Sequence, residues 1–455
     1  TAQAGGFALR EQSAEGQGVS FAGAAANGAG LASMFWNPAT LTDYKGIQTS
    51  VGLTGVIPYA NLTNTSGSSA GYTAFAALGK SSSGDMAQDA IVPNAYLSWQ
   101  LNQNIWLGLS VNAPYGLSTK PDSAYAGRTY GSTSRATSKE LNASVAYKVN
   151  EMVSLAAGVR YLNLGARYTT AAPTAAPAGL NPSNWNVLGL QGEGSAFGYT
   201  LGLTFKPMDG TEIGLGYRSE VKPTLEGDFF GGEAAAATFG SALAAAYALN
   251  NPIQVKVPLP QMVTLGLKQK ASQNLTILAG FEWTQWSVLK SPAVTYRNNG
   301  AYPGTSVAWS VGSPHLASPA LPFDYKDGWY ASLGGEYKWD SKLTLRSGLA
   351  FESSPISDAT RSARLPDNDR IWASVGASYK LSEQLSLDMG YSHIFPKSTK
   401  ITISDATNPN YKPSYAPALD KLTADVKSHI DIISFSMTYR WDTPTPPAPK
   451  AKVTK

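Results

Sequence analysis

The chain has no cysteine, so neither disulfides nor thiol chemistry enters. Histidine is nearly absent too. His315, His393 and His429 are scattered, and none shares a short motif with an acid or a serine, so a hydrolase built on a poised imidazole has no visible constellation. No Cys/His cluster suggests a metal. Charged residues make up only 15% of the chain against 43% hydrophobic, and the net charge of +4 is dispersed, with no Lys/Arg run outside the C-terminal tail. Nucleic-acid binding therefore has no electrostatic footprint. Long apolar runs are missing as well: mean hydropathy is −0.16, and no uninterrupted stretch reaches the ~18 residues of a spanning helix. Gly67-Ser68-Ser69-Ala70-Gly71 formally matches a nucleophile elbow but lies in a Ser/Gly-rich stretch. The Gly pairs near Gly28 lack the strand-to-helix context of a nucleotide site. The expectation is a protein that is no enzyme and holds no cofactor or metal.

What is present is alternation. From Leu343 to Phe351 the odd positions Leu343, Leu345, Leu349 and Phe351 are apolar, while Thr344, Arg346, Gly348 and Ala350 are polar, charged or small. The same parity recurs in Leu385, Leu387, Met389 and Tyr391, and again in Phe435, Met437, Tyr439 and Trp441. One face suits lipid and the other a wet lumen, the pattern of a transmembrane β-barrel. Many aromatics sit at strand ends (Trp99, Trp106, Trp283, Trp329, Trp339, Trp372, Trp441), as interfacial girdles require.

Short polar junctions at Asn102-Gln103, Asn150-Glu151, Pro207 to Gly210, Ser272-Gln273, Asp340-Ser341 and Ser382-Glu383 read as hairpin turns on one rim. Long connections lie near Asn61 to Asp89, Ser118 to Arg135, Thr170 to Leu190, Gly227 to Gln254, Ser291 to Asp324, Ser354 to Asp369 and Ile401 to Lys427. Six turns and seven loops join fourteen strands, so the expected fold is an all-β, 14-stranded antiparallel barrel over residues 44–441. Both barrel ends then fall on the short-turn side, in the periplasm, and the long loops face outward. Residues 1–43 break the rhythm. They are rich in Gly and Ala, and Phe7, Leu9, Phe21, Leu31, Met34, Phe35 and Trp36 make them too apolar for a solvated tail, so they read as a plug inside the lumen. Residues 442–455, with four prolines, read as a periplasmic tail. The chain opens on no signal peptide and so reads as a mature form, while Ala2-Gln3-Ala4 resembles the end of a cleavage site, which leaves two readings for whether Thr1 to Ala4 precede the natural start.

Several blocks resemble one family. Asp327-Gly328-Trp329, Leu345-Arg346-Ser347-Gly348-Leu349, Ser354-Pro355 and Leu365-Pro366-Asp367-Asn368-Asp369-Arg370-Ile371-Trp372 are similar in order and spacing to the FadL-type channels for long-chain fatty acids and hydrophobic compounds of Gram-negative outer membranes, which include toluene channels. Gly6-Phe7 and the hatch motif Asn37-Pro38-Ala39 resemble the start and end of the family's N-terminal hatch, and Pro258-Leu259-Pro260 is similar too. Two departures stand out: Trp441 is followed by a tail rather than ending the chain, and the third loop, with Pro173, Pro177 and Pro182, is poor in helix.

The resemblance implies capture between outer loops, transfer to a lumen site beside the hatch N-terminus, and sideways exit through a gap at a kinked third strand. The residues have matching parts. Regular alternation from Ile105 to Val111 breaks at Asn112-Ala113-Pro114-Tyr115-Gly116-Leu117, where Pro114 cannot donate a ladder hydrogen bond and Gly116 tolerates a bulge. A lateral opening at Ala113, Pro114, Tyr115 and Gly116 is one reading; the start of an outer loop is the other. Gly227 to Asn251, with Phe229, Phe230, Phe239 and Tyr247, is expected to hold an apolar helix that collects greasy ligands or caps the barrel. Parity points Arg160, Glu212, Arg218, Glu220, Glu282, Glu336, Lys338, Arg346, Glu352, Arg370 and Asp388 inward. Arg346, Asp367 and Arg370 read as structural. Phe7 and Leu9 are expected on the ligand tail, as the family's hatch implies. Arg160 or Arg167 is a candidate for a fatty carboxylate, although hatch anchoring competes with that role and alternation turns Arg167 outward unless a bulge intervenes. The expected partners are fatty acids, hydrocarbons or detergent, with outer-membrane lipid and lipopolysaccharide around a monomer. The competing function is a general diffusion porin for small hydrophilic solutes.

Overall fold

The computed structural model describes residues 5–65, 80–172, 186–230, 251–301, 308–311, 323–404 and 421–441. Fourteen antiparallel strands form one closed wall. They are β1 (Ile47–Asn64), β2 (Ala90–Gln100), β3 (Ile105–Asn112, resumed at Gly116–Thr119), β4 (Thr133–Lys148), β5 (Val153–Ala172), β6 (Asn186–Met208) and β7 (Thr211–Arg218, resumed at Thr224–Phe230). After these come β8 (Asn251–Lys256, resumed at Met262–Lys270), β9 (Leu275–Thr284, resumed at Val294–Tyr296), β10 (Gly328–Lys338), β11 (Leu343–Glu352), β12 (Arg370–Lys380), β13 (Leu385–Pro396, resumed at Thr399–Ser404) and β14 (Lys421–Arg440). Closure is made by β1, where Val51 stands between Ala95 of β2 and Met437 of β14. Pairing the first strand with the last removes the open sheet edges that could not face hydrocarbon, the condition for spanning a bilayer with strands.

The alternation read from the sequence is the alternation of the wall. Leu345, Leu349 and Phe351 are exposed on the outer face, while Arg346, Gly348 and Ala350 are buried on the inner one. Five of the short turns use one device. Asn102, Asn150, Ser272, Asp340 and Ser382 each accept, through the side-chain oxygen, the backbone N–H groups two and three residues later, which closes the turn and fixes the register of the next strand. The two N–H groups at Asp340 hold its carboxyl below the usual carboxylate range. The sixth turn, Asp209-Gly210, uses a glycine at φ 82°.

Residues 5–46 wind through the lumen as a short helix α1 (Ala14–Gly18) and 3-10 turns. Inward-facing glycines let this backbone lie directly on the wall: a Cβ on Gly214 would stand 1.7 Å from Ala25 O, one on Gly216 1.9 Å from Trp36 O, and one on Gly348 2.3 Å from Val19. Asn37 caps the 3-10 turn Pro38–Asp43 by accepting from Ala39 N, and its amide donates to Ala25 O and to Leu203 O of β6. That is the physical content of Asn37-Pro38-Ala39.

Several expectations need correction. The loops are shorter than read, because β1, β5, β6, β7, β13 and β14 run on past the apolar belt; Gly227 to Phe230 are strand rather than loop. Trp106 and Trp372 are not girdle residues: they share the parity of inward positions, are buried, and donate their indole N–H groups to Tyr44 O and the Glu352 carboxylate. Phe239, Tyr247, His315, the Gly67 to Gly71 stretch, the third-loop prolines and residues 442–455 lie outside the described residues.

Candidate functional site

Buried ion pairs tie the N-terminal segment to the wall. Arg10 reaches Glu282 of β9 at 2.8 Å and lies over the Tyr330 ring of β10. Glu15 meets Arg346 of β11 at 2.7 Å, and Arg346 also holds Glu336 at 2.8 Å. Gly5 N donates to Glu352 at 2.8 Å and Gly6 N to Asp367, and both carboxylates face Arg370. The structural reading of Arg346, Asp367 and Arg370 thus has specific partners. Arg160 is different. It pairs with Glu140 of β4 at 3.0 Å, a carboxylate shared with Arg218, so it bridges wall to wall instead of anchoring the segment. Arg218 makes the link inward, donating to Phe35 O at 2.8 Å. Two guanidiniums on one buried carboxylate leave an excess of positive charge on this side of the lumen, and Arg160 Nε makes no hydrogen bond.

The wall is interrupted where the sequence breaks. β2 pairs with β3 only up to Ala95 opposite Val111, although β2 continues to pair with β1 as far as Ala90. Beyond the break the resumed part of β3 pairs with β4, from Gly116 opposite Thr137 to Thr119 opposite Ser134, and its other edge is bridged to the residues before β2, Lys120 N donating to Met86 O and Gln88 N to Ser118 O. Between these contacts, at Pro114 to Gly116, the edge of β3 is filled from inside. Leu9 N donates to Pro114 O at 2.8 Å and Gly116 N to Phe7 O at 2.9 Å, so the N-terminal segment adds a short strand at the gap. Gln12 locks it there: its amide donates to Ala113 O, its Oε1 accepts from Asn112, and its backbone oxygen accepts from the Tyr96 hydroxyl. A Cβ on Gly116 would stand 2.6 Å from Leu9 Cδ1, so a larger residue there would require the Leu9 side chain to shift.

Two cavities meet beside this gap. The inner one is lined by Leu9, Arg10, Tyr115, Arg160, Arg218, Glu282 and Trp286 among others. The outer one is almost wholly apolar, with Leu164, Tyr168, Leu190, Leu225, Ile253, Leu289 and Phe323 in its walls. Phe7, Tyr115 and Trp286 stand between them. The Phe7 ring lies 4.8 Å from Trp286 and 5.9 Å from Tyr115, edge-on or tilted, in the favourable aromatic geometry. Apolar surface of this kind gains from burying a greasy ligand, at roughly 25 cal/mol per Å².

Of the expected site residues, Phe7, Leu9, Arg160, Ala113, Pro114, Tyr115 and Gly116 converge on the gap and its cavities. Phe229 is buried in the apolar cluster that contains Phe7 and Tyr168. Arg167 and Phe230 do not belong to the lumen. Pairing of β5 with β4 and β6 runs without a bulge from Val153 to Thr169, so Arg167 stays on the outer face, where it bonds Gln191 and covers the Phe230 ring. Trp286 and Gln12 are the site residues that sequence reasoning missed. Trp286 sits in a 3-10 turn where β9 leaves the ladder, outside any strand parity, and Gln12 is one polar residue among others in the N-terminal segment.

Comparison with known proteins identifies the family and the fold. A family model described as outer membrane protein transport protein (OMPP1/FadL/TodX) matches residues 1–441. The long-chain fatty acid transport protein of Salmonella typhi is 28% identical over 415 residues, covering 87% of this chain and 88% of its own. A Pseudomonas aeruginosa FadL homologue superposes with a TM-score of 0.79 at 21% identity, covering 96% of this chain and 100% of the other. The Ralstonia pickettii toluene transporter TbuX gives 0.63 at 16% identity, covering 94% and 98%.

Proposed function

The chain belongs to the outer membrane protein transport protein (OMPP1/FadL/TodX) family, and from that premise we propose that it conducts hydrophobic molecules passively inward across the outer membrane, binding them in the lumen and releasing them sideways through the β3 break. Its relatives carry the names of fatty acid and toluene transporters. The long connections face the exterior, the short turns and both barrel ends face the periplasm, and the barrel works as a monomer without catalysing a reaction. Residues 1–43 act as the hatch. A ligand enters the apolar outer cavity, passes the Phe7, Tyr115 and Trp286 rings, and reaches the inner cavity, where the Arg160 and Arg218 guanidiniums, sharing the single Glu140 carboxylate, supply positive charge for an acidic head group. Withdrawal of Phe7 to Leu9 from the edge of β3 then opens the wall toward the bilayer.

The observation that carries this reading is the pair of backbone hydrogen bonds by which Phe7 and Leu9 complete the wall at Pro114 and Gly116. Two such bonds contribute only about 1–3 kcal/mol net, and the Gly6 bond to Asp367 and the packing of Phe7 on Trp286 and Tyr115 add to what ligand binding must offset. Deleting residues 114–117 removes an even number, so inward and outward faces are kept while the ladder closes. The expected result is a folded barrel, still heat-modifiable on gels, that no longer takes up a fluorescent fatty acid or a radiolabelled aromatic. Unchanged uptake would refute lateral release. A porin is disfavoured by the packed lumen segment; large steady currents in a planar bilayer would reinstate it.

A further inference from the structure

The outer face of β4 and β5 carries an arrangement that uptake does not use. Leu141, Tyr161 and Phe197 form one rung of exposed apolar side chains across β4, β5 and β6. One rung nearer the long connections stand Lys139, Asn163 and Ser195, where the Tyr161 hydroxyl and the Asn163 amide both donate to Ser195. Four residues farther along β4, Arg135 stands directly opposite Arg167. Lys139, Arg135 and Arg167 are all exposed on the outward face.

Like charges on directly opposed cross-strand residues are destabilising unless something neutralises them. Among the described residues neither Arg135, Lys139 nor Arg167 has a carboxylate partner within salt-bridge distance; Arg167 bonds the neutral Gln191 and lies 4.5 Å over the Phe230 ring. Glu193, on the same outward face of β6 opposite Gly165, pairs with neither arginine. The adjoining connection, residues 173–185, contains no acidic residue at all. Lys139 lies roughly 7 Å along the strand from the apolar rung and Arg135 roughly 20 Å, a rise of about 5 to 15 Å at a strand tilt of about 40°, which reaches into the head-group layer above a leaflet.

We propose that Lys139, Arg135 and Arg167 form a docking face for the phosphorylated head group of an outer-leaflet glycolipid, whose acyl chains lie against Leu141, Tyr161 and Phe197. The missing anion is supplied by the membrane itself, and the two arginines present fork-shaped donors suited to phosphate oxygens. The inference rests on the long connections facing outward. That premise is tested separately: the chain has no cysteine, so Ala359→Cys gives a single thiol on an exposed connection, which an impermeant maleimide labels in intact cells if the orientation holds.

The test is native mass spectrometry of the purified chain with lipid A, with and without its phosphates. Wild type is expected to retain the phosphorylated form preferentially. Arg135→Gln/Lys139→Gln/Arg167→Gln is expected to lose roughly a hundredfold in retention, on the order of fivefold per cation, while Lys400→Gln on β13 leaves it unchanged. Heat-modifiable migration reports folding, and Arg135→Gln alone, expected to lose about fivefold, serves if the triple variant fails to fold. Unchanged retention in the folded variant, equal retention of the dephosphorylated lipid, or displacement by an equal concentration of inorganic phosphate would each overturn the lipid-docking assignment.

Discussion

Gly216→Ala tests how the lumen segment is held. A Cβ at Gly216 would sit 1.9 Å from Trp36 O and 2.8 Å from its carbonyl carbon, both backbone atoms. Restoring a 3.0 Å contact requires a displacement of about 1 Å, and the wall cannot supply it, because Gly216 is laddered on both sides, to Gly202 and to Thr264. The lumen segment must move instead. That motion strains the Arg218 bond to Phe35 O at 2.8 Å and the Asn37 bond to Leu203 O at 2.9 Å. Overpacking of this kind costs about 1–3 kcal/mol, which raises the population of a loosened segment by about 5- to 150-fold. In a planar bilayer the variant should show frequent conductance bursts, absent in wild type, with the barrel intact by heat-modifiable migration. A folded Gly216→Ala barrel as silent as wild type would refute the claim that backbone-to-glycine contact holds the segment.

Two further perturbations address the wall. Glu140→Gln leaves Arg160 and Arg218 buried without their shared carboxylate, and should cost about 3–5 kcal/mol, read as a lower temperature for loss of compact gel migration. Asp340→Asn isolates a titration: the lowered carboxyl contributes to turn stability above its ordinary unfolded value and loses that contribution as pH falls through the folded one. The asparagine variant, capping as Asn102 and Asn150 do, should show less acid sensitivity below about pH 4 in refolding yield, and equal sensitivity would sink the assignment.

Strand number, facing and the rim of short turns were legible because each is a local property. Parity is fixed by the pleat, and a turn such as Asp340 to Leu343 carries its own cap. Parity also pointed Arg167 outward, which the unbroken register of β5 then settled, and it could have moved Trp106 and Trp372 inward. The inward glycines at 214, 216, 348 and 376 were a readable signal as well, since small residues at mid-height on one face imply something lying against it. Strand extensions past the belt were not legible, because outside the bilayer both faces can be polar and the period-2 signal fades.

By itself the sequence determined a membrane barrel with a foreign segment in front and a break at Pro114, since alternation, composition and proline chemistry act within a few residues. Only the tertiary structure decided that the two interruptions meet. Phe7 and Leu9 hydrogen-bond to Gly116 and Pro114 across more than a hundred residues of chain, Trp286 reaches them from β9, and Glu140 divides itself between two arginines. Barrel closure sets those distances, and no local pattern encodes them.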